Sequence, residues 1–299
     1  MIIKAKRFPR ALAHRARNQV QTILWSRLDR CLKQSGQPSV LDDDEAEFER
    51  LQAEFPEKPA YGYDPASVWT RASQRGMAIL AAAQEAEVKP RRILEAGCGD
   101  GSLGFWLTHA GCEHVQLTDL EDWRHDISKH LPFAEAALEA GLPFEDDSFD
   151  VVVTFNSFEH FRDPAACLRE LLRVTRPGGL HYHDFCPLYN SAWGLHAYRF
   201  FRFPYPQFLF SKAFLKDKIE EMRACATGKC SPPPYVNGWA ARAFDRLFRV
   251  VGDPLPGSGR TYGQAQASFV NRYLPAFRGR ALTADELCTH GYIARFTAA

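Results

Sequence analysis

Residues 91–104, Arg91-Arg92-Ile93-Leu94-Glu95-Ala96-Gly97-Cys98-Gly99-Asp100-Gly101-Ser102-Leu103-Gly104, gather glycines and carboxylates in a pattern suited to holding a small charged ligand. An apolar run at Ile93-Leu94 leads into alternating glycines, and Phe105-Trp106-Leu107 follows, so the stretch predicts buried strand, tight turn and helix start. Glycine allows positive φ and places no Cβ between backbone and ligand, so this turn can pass close beneath a nucleotide-type cofactor. Gly99, Gly101 and Gly104 satisfy G-x-G-x-x-G, and Asp119 follows about 20 residues on, the spacing of an acid that receives ribose hydroxyls.

Spacing alone would suggest NAD. Charge points elsewhere, because Glu95 and Asp100 stand in or beside the turn where a helix N-terminus would receive a pyrophosphate, and like charge opposes that ligand. S-adenosyl-L-methionine has no phosphate, and its sulfonium and ammonium suit an acidic loop. These residues resemble the class I S-adenosylmethionine-dependent methyltransferases, in particular the broad type 11 group. The resemblance rests on Leu94-Glu95-Ala96-Gly97-Cys98-Gly99-Asp100-Gly101, Asp119, Leu142-Pro143-Phe144-Glu145-Asp146-Asp147-Ser148-Phe149-Asp150-Val151-Val152 and Arg176-Pro177-Gly178-Gly179, within residues 90–186. It implies an α/β, Rossmann-like doubly wound fold: a mostly parallel seven-stranded sheet with helices on both faces. It also implies S-adenosylmethionine held by Glu95, Gly97, Cys98, Gly99, Asp100, Gly101 and Asp119, with Leu120 packed on adenine. Type 11 members usually place an Asp-Ala pair before Leu-Pro-Phe to meet the adenine amine. Here Ala137–Gly141 fills that space, so Glu139 is the nearest substitute, against the commoner reading of an exposed helical glutamate.

Ligands of open α/β sheets lie beyond the carboxyl ends of the strands. The apolar run Phe149 to Phe155 predicts a buried strand and delivers Asn156-Ser157-Phe158-Glu159-His160-Phe161 to that position, with Asn156 beside the cofactor. His160 is a candidate brace for the loop, or a base, since a reference pKa of about 6.5 permits proton transfer near neutrality. On the next strand, Leu180 to Phe185, period-two geometry puts His181 and His183 on one face and Asp184 on the other. His183 and Asp184 are candidate general bases or hydrogen-bonded supports. A metal would require His181, His183 and a third ligand such as His196 along a strand with little open room, so none is expected.

The elements that must position these groups are legible in outline. A chain of 299 residues with 45% hydrophobic content can bury one catalytic domain with additions. The net charge of +1 supplies no general field for nucleic acid, and no such partner is expected. Eight cysteines include no C-x-x-C pair, which argues against a zinc or disulfide framework and fits a reducing cytoplasm. No apolar run of about 18 residues and no signal peptide is present, which again leads to a cytoplasmic expectation. Residues 1–60 are expected to form a basic helical extension and linker, and 61–299 the methyltransferase domain. Within 1–35, nine basic residues from Lys4 to Lys33 stand against Asp29, and apolar positions recur at helical spacing. Such a helix packs on the domain or docks peripherally on anionic lipid. Asp42-Asp43-Asp44-Glu45 reads as a solvated run, and Pro56 and Pro59 interrupt any helix. Asp64-Pro65 starts a helix to about Ala83, with Tyr61, Tyr63 and Arg71 offered to a lid or to packing. Residues 186–236, rich in aromatics and carrying Arg199 and Arg202, read as a partly helical substrate-binding insertion, or equally as a satellite core or dimer patch. A helix over Asn237 to Val250, a Pro/Gly-rich connection over 251–262, a helix over Ala265 to Phe277 and a terminal antiparallel strand over Gly291 to Thr297 complete the reading.

The expected reaction is methyl transfer to an oxygen or nitrogen of an acceptor that the sequence leaves open: a small metabolite, a glycan or a lipid-linked intermediate. The competing expectations are an NAD(P)-dependent oxidoreductase and a non-catalytic scaffold that keeps the fold.

Overall fold

The computed structural model describes residues 26–34, 36–57, 62, 64–226, 230–252, 254–263 and 266–299. Lys4 to Arg17 of the basic segment, and Tyr61 and Tyr63, lie outside the described residues. Among the described residues, seven strands form one sheet: β1 (Arg92–Ala96), β2 (His114–Asp119), β3 (Phe133–Glu135), β4 (Phe149–Phe155), β5 (Thr175–Phe185), β6 (Gly259–Tyr262) and β7 (Thr289–Thr297). Their spatial order is β3-β2-β1-β4-β5-β7-β6. Strands β1 to β5 run parallel, and β7 lies antiparallel to both β5 and β6. The chain winds from β1 outward to β3 and returns to β4 on the other side of β1. The winding therefore reverses between the carboxyl ends of β1 and β4, the crevice where open α/β sheets bind ligands.

Both faces are covered, as the unbroken apolar runs of the central strands require. Helices α2 (Pro65–Glu85) and α3 (Ser102–His109) bury Ile79, Ala82, Leu103 and Leu107 against Ile93, Val151 and Val153. Helices α4 (Pro164–Val174) and α6 (Ala241–Arg249) bury Leu168, Leu171, Phe244 and Phe248 against Leu94, Val152 and Phe185. Asp64 caps α2 by accepting the Ser67 N–H at 3.0 Å, and Asp163 caps α4 through Ala165 and Ala166, with Pro65 and Pro164 in the first turn.

Several expected elements differ. Residues 36–57 are no linker, since α1 (Glu45–Glu54) buries Phe48 and Leu51. Its acidic run is structural: Asp44 caps the helix by accepting Ala46 and Glu47 N–H groups, and Asp43 receives Ser211 N–H and Oγ–H. The connection at 251–262 includes edge strand β6, held by pairing to β7. The helix expected over Ala265 to Phe277 is two short ones, Ala267–Arg272 and Leu274–Phe277, broken at Tyr273 ahead of Pro275. The insertion contains a short helix at Pro206–Leu209 and α5 (Lys212–Ala224). Its aromatics Phe200, Phe201, Phe203, Tyr205, Phe208 and Phe210 are buried with α1 in a second core, so they are not free to stack on a ligand. No described helix is long and apolar enough to cross a membrane.

Candidate active site

The glycine turn joins β1 to α3, and its backbone makes the site. Gly97, Gly99 and Gly101 all have positive φ. A Cβ on Gly99 would meet nothing within 4 Å, so open space lies directly over this backbone, whereas a Cβ on Gly104 would come within 2.5 Å of Leu117 Cδ2. Gly99 thus leaves room for a ligand, and Gly104 lets α3 approach β2.

Below the turn, Glu95 is buried and accepts the Gly104 N–H at 3.0 Å. Burial pushes its pKa up to about 8, partly offset by Arg75 and reinforced by Asp100 and Asp119. Asp100 Oδ1 accepts the Ser102 N–H at 2.9 Å, so this carboxylate also completes the start of α3. Cys98 is buried; its thiol pKa is pushed up, chiefly by burial, and its N–H donates to the Thr118 carbonyl at 3.1 Å. Only the backbone of Cys98 belongs to the turn.

Asp119 ends β2. Its Oδ2 accepts the Gly99 N–H and its Oδ1 the Leu120 N–H, both at 2.8 Å. Each oxygen retains a lone pair, so the acid can both fix the turn and receive two hydroxyls. Leu120 beside it is 63% exposed, an apolar side chain standing in solvent at the mouth of the site. Open space at Gly99, a two-oxygen acceptor and an uncovered apolar surface together fit an adenosyl group. Glu139 sits exposed in a 3-10 turn, and its Oε1 accepts the Arg162 N–H at 3.1 Å, a contact that braces the start of α4.

The loop after β4 supplies the other wall. Asn156 holds positive φ and donates its N–H to the Asp184 carbonyl at 2.9 Å. His160 Nδ1 bonds the Tyr235 carbonyl at 2.5 Å, a bracing contact, and burial lowers its pKa. Glu159 is 1% exposed, and among the described residues neither carboxylate oxygen makes a hydrogen bond. Burial pushes its pKa up to about 8; the Glu159 and Cys186 N–H groups draw it down without bonding geometry, and Asp184 raises it further. On β5 the expected division of faces is observed, with a correction for His183. It is fully buried between Thr154 Oγ1 (3.0 Å from Nδ1) and His181 (3.1 Å from Nε2), against Phe158 and Phe248. Burial, then His181, drives its pKa well down, so His183 is a neutral core residue and not a base facing the crevice. Asp184, half-buried on the other face, has its pKa raised by burial against the pull of Arg75.

Arg75 and His196 complete the picture. The Arg75 guanidinium on α2 lies 4.6 Å over the Phe155 ring, and its positive charge works against the burial that raises the pKa values of Glu95, Glu159 and Asp184. Its signal in the sequence is an arginine one residue from Gly76 on the buried side of α2. His196, from the insertion, reaches the Glu159 and His160 side chains.

A seven-stranded Rossmann-like sheet with an acid-flanked glycine turn at its reversal point, and an acid at the end of the neighbouring strand β2, defines a protein of the doubly wound α/β class. Residues 94–183 match the family model described as a methyltransferase domain. That segment is accordingly a class I methyltransferase domain, whose cofactor is S-adenosylmethionine. Among curated proteins, the chain is 32% identical over 105 residues to the chloroplastic tocopherol O-methyltransferase of Arabidopsis thaliana, covering 32% of this chain and 30% of that protein. It is 28% identical over 143 residues to the methyltransferase GfsG of Streptomyces halstedii, covering 44% and 51%. The chain thus spans about a third to a half of the length of these relatives. Among solved structures, it is similar to magnesium protoporphyrin IX methyltransferase from Synechocystis PCC 6803 with bound SAH, at 12% identity and TM-score 0.42, covering 97% of this chain and 99% of that one.

Proposed function

We propose that this protein is an S-adenosylmethionine-dependent methyltransferase acting on an oxygen or nitrogen of an acceptor seated between the carboxyl ends of β4 and β5 and the helical insertion. The observation that carries the reading is the Asp119 carboxylate, anchored to Gly99 and Leu120 with acceptor capacity to spare, beside open space over Gly99. Bound S-adenosylmethionine supplies an already activated methyl group, so the protein's work is alignment and exclusion of water. Asp119 would receive the ribose hydroxyls and Leu120 would cover adenine. The backbone from Gly97 to Gly101 would pass beneath, supported by Glu95. Asp184 and His160 are the side chains available to accept a proton from a hydroxyl or ammonium acceptor.

A cleft of about 780 Å³ lined by Tyr189, Gln207, Ile219, Arg223, Tyr235 and Asn237 borders the β4 loop. Asn237 ties it there by donating to the carbonyls of Phe158 (2.7 Å) and Phe161 (3.0 Å). This volume suits a metabolite, a sugar or the head of a lipid-linked intermediate. Similarity to a protein named for O-methyl transfer favours oxygen.

The test is ligand-dependent thermal stability, since a ligand bound only by the folded state raises the midpoint. S-adenosylmethionine and S-adenosylhomocysteine are expected to raise it and NAD to leave it unchanged; stabilisation by NAD alone overturns the reading. Transfer of labelled methyl from S-adenosylmethionine into fractionated extract then identifies the acceptor.

A further inference from the structure

Glu159, His160 and His196 each offer one ligand-type atom, and these atoms lie within 4.8 Å of one another. We propose that they hold a divalent transition-metal ion at the edge of the acceptor site, a step that builds on the methyl-transfer reading and gives His160 a ligand's role in place of proton acceptance.

The first observation is the orphaned carboxylate. Glu159 is 1% exposed with both oxygens unbonded among the described residues, and a buried polar group left without a partner is costly, a cost that a coordinated cation would remove. The second is the orientation of the imidazoles. His160 Nδ1 meets the Tyr235 carbonyl at 2.5 Å and His196 Nε2 the Pro187 carbonyl at 2.8 Å. A carbonyl can only accept, so each of these nitrogens carries its ring's proton and the opposite nitrogen keeps a lone pair. Metal-binding histidines are oriented by such outer hydrogen bonds. The third is backbone strain: His196 is held at φ +56°, in the left-handed region that a non-glycine residue occupies at some cost.

Size chooses between an ion and an organic cation. Glu159 and His196 are 1% and 8% exposed, a degree of burial that suits a single ion better than an amine-bearing molecule. The His160 side chain is 27% exposed, leaving one side open to water or to an acceptor oxygen. Two imidazoles with one carboxylate suit zinc, cobalt, manganese or iron better than magnesium or calcium, which favour all-oxygen shells. Metal–ligand distances of about 2.0–2.2 Å require the three atoms to close up. His160 Nε2 is now 3.9 Å from Glu159 Oε1, and the unbonded carboxylate can swing inward by rotating its own side chain.

The full chain, stripped with EDTA and dialysed, is titrated with Co2+ and then Zn2+ in the absence of S-adenosylmethionine. One equivalent of Co2+ is expected to bind with visible ligand-field bands and without thiolate charge transfer, and Zn2+ to displace it. Glu159→Gln and His160→Gln should each weaken binding by at least about ten-fold, and His114→Gln, exposed at the start of β2, should not. The half-exposed His160 tolerates substitution even if Glu159→Gln fails to fold. Absence of a saturable Co2+ site in the native chain, unchanged affinity in His160→Gln, or equal weakening in His114→Gln overturns the proposal. Stabilisation by S-adenosylmethionine is read separately, so failure of the metal site and failure of the methyltransferase reading are distinguishable.

Discussion

Asp119 holds its turn with the same carboxylate that would receive the ribose, so its removal should strike twice. Asp119→Ala loses both charged acceptor contacts and frees the Gly99 N–H, and Gly99→Val puts a branched side chain at φ +52° into the open space. Each is expected to weaken S-adenosylmethionine binding by about 100-fold or more, near 2.7 kcal/mol; calorimetric affinity within a few-fold of the native chain would remove the assigned pocket. Glu159 makes a second prediction, through pH. Its pKa rises from 4.5 to about 8 on folding, so between those values the folded protein keeps a proton that the unfolded chain has released, and stability falls as pH rises. Glu95 behaves alike, whereas His196, lowered to about 4 by burial, contributes stability that is lost as pH falls from 6.5 toward 4. Glu159→Gln in EDTA should therefore flatten the decline between pH 6 and 8 by as much as about 1.4 kcal/mol per unit; denaturation midpoints that fall as steeply as in the native chain would contradict this. The place of Asp119, at the end of β2 beside the glycine turn, was legible in the sequence because its spacing from the glycines carries it. His183 was not, because period two gives a side chain's face but not that Phe248 and Phe296 cover it. Glu159 carries no signal of its own in the sequence, since an orphaned carboxylate is visible only once its surroundings are known.

At the scale of elements, the contact between α2 and α3 turns on Gly76. A Cβ there would stand 2.0 Å from Cε3 of Trp106, well inside contact distance. Alanine favours an isolated helix by about 1 kcal/mol over glycine, but shifting a packed indole costs about 1–3 kcal/mol, so the clash should win. Gly76→Ala is expected to lower the melting temperature, and a rise would show that α2 slides without penalty. Because Arg75 adjoins Gly76, the same shift should weaken S-adenosylmethionine binding while Asp119 remains in place. Elements with their own local signals are legible: β4 from its apolar run, and α2 from its Asp-Pro cap. Strand β6 was hidden, because Gly259-Arg260-Thr261-Tyr262 has little strand character and exists through pairing with β7. Helix α1 was hidden for a related reason: its apolar face packs on aromatics of the insertion, and Asp43 reads as a solvated acid until Ser211, far along the chain, is brought beside it.

For the whole molecule, the decisive feature is that α1, the insertion and residues 269–287 share a core distinct from the two that flank the sheet. Phe48 is its hub, with edge-on contacts to Phe201, Phe203, Phe210 and Phe214 at ring-centre distances of 5.6–5.8 Å. No local pattern could reveal this, since the hub is separated from its partners by about 150 residues. The second core meets the catalytic sheet through polar ties. Glu286 accepts the N–H of Ala241, at the start of the sheet-flanking helix α6, at 3.2 Å and also the Asn190 side-chain amide at 3.2 Å, while inside the second core the Tyr205 hydroxyl donates to the Leu287 carbonyl at 2.9 Å. Phe48→Ala should remove about 3–5 kcal/mol of packing, and the opening should begin where that packing lies. Hydrogen exchange is expected to quicken first over residues 197–222, while amides of β1 and β4 stay protected and S-adenosylmethionine still raises the melting temperature. If the insertion shapes the acceptor cleft, methyl transfer falls in the same variant although the cofactor still binds. Exchange that quickens equally in β1 and β4 would instead make the second core one cooperative unit with the sheet, and the division between cofactor platform and acceptor enclosure would fail.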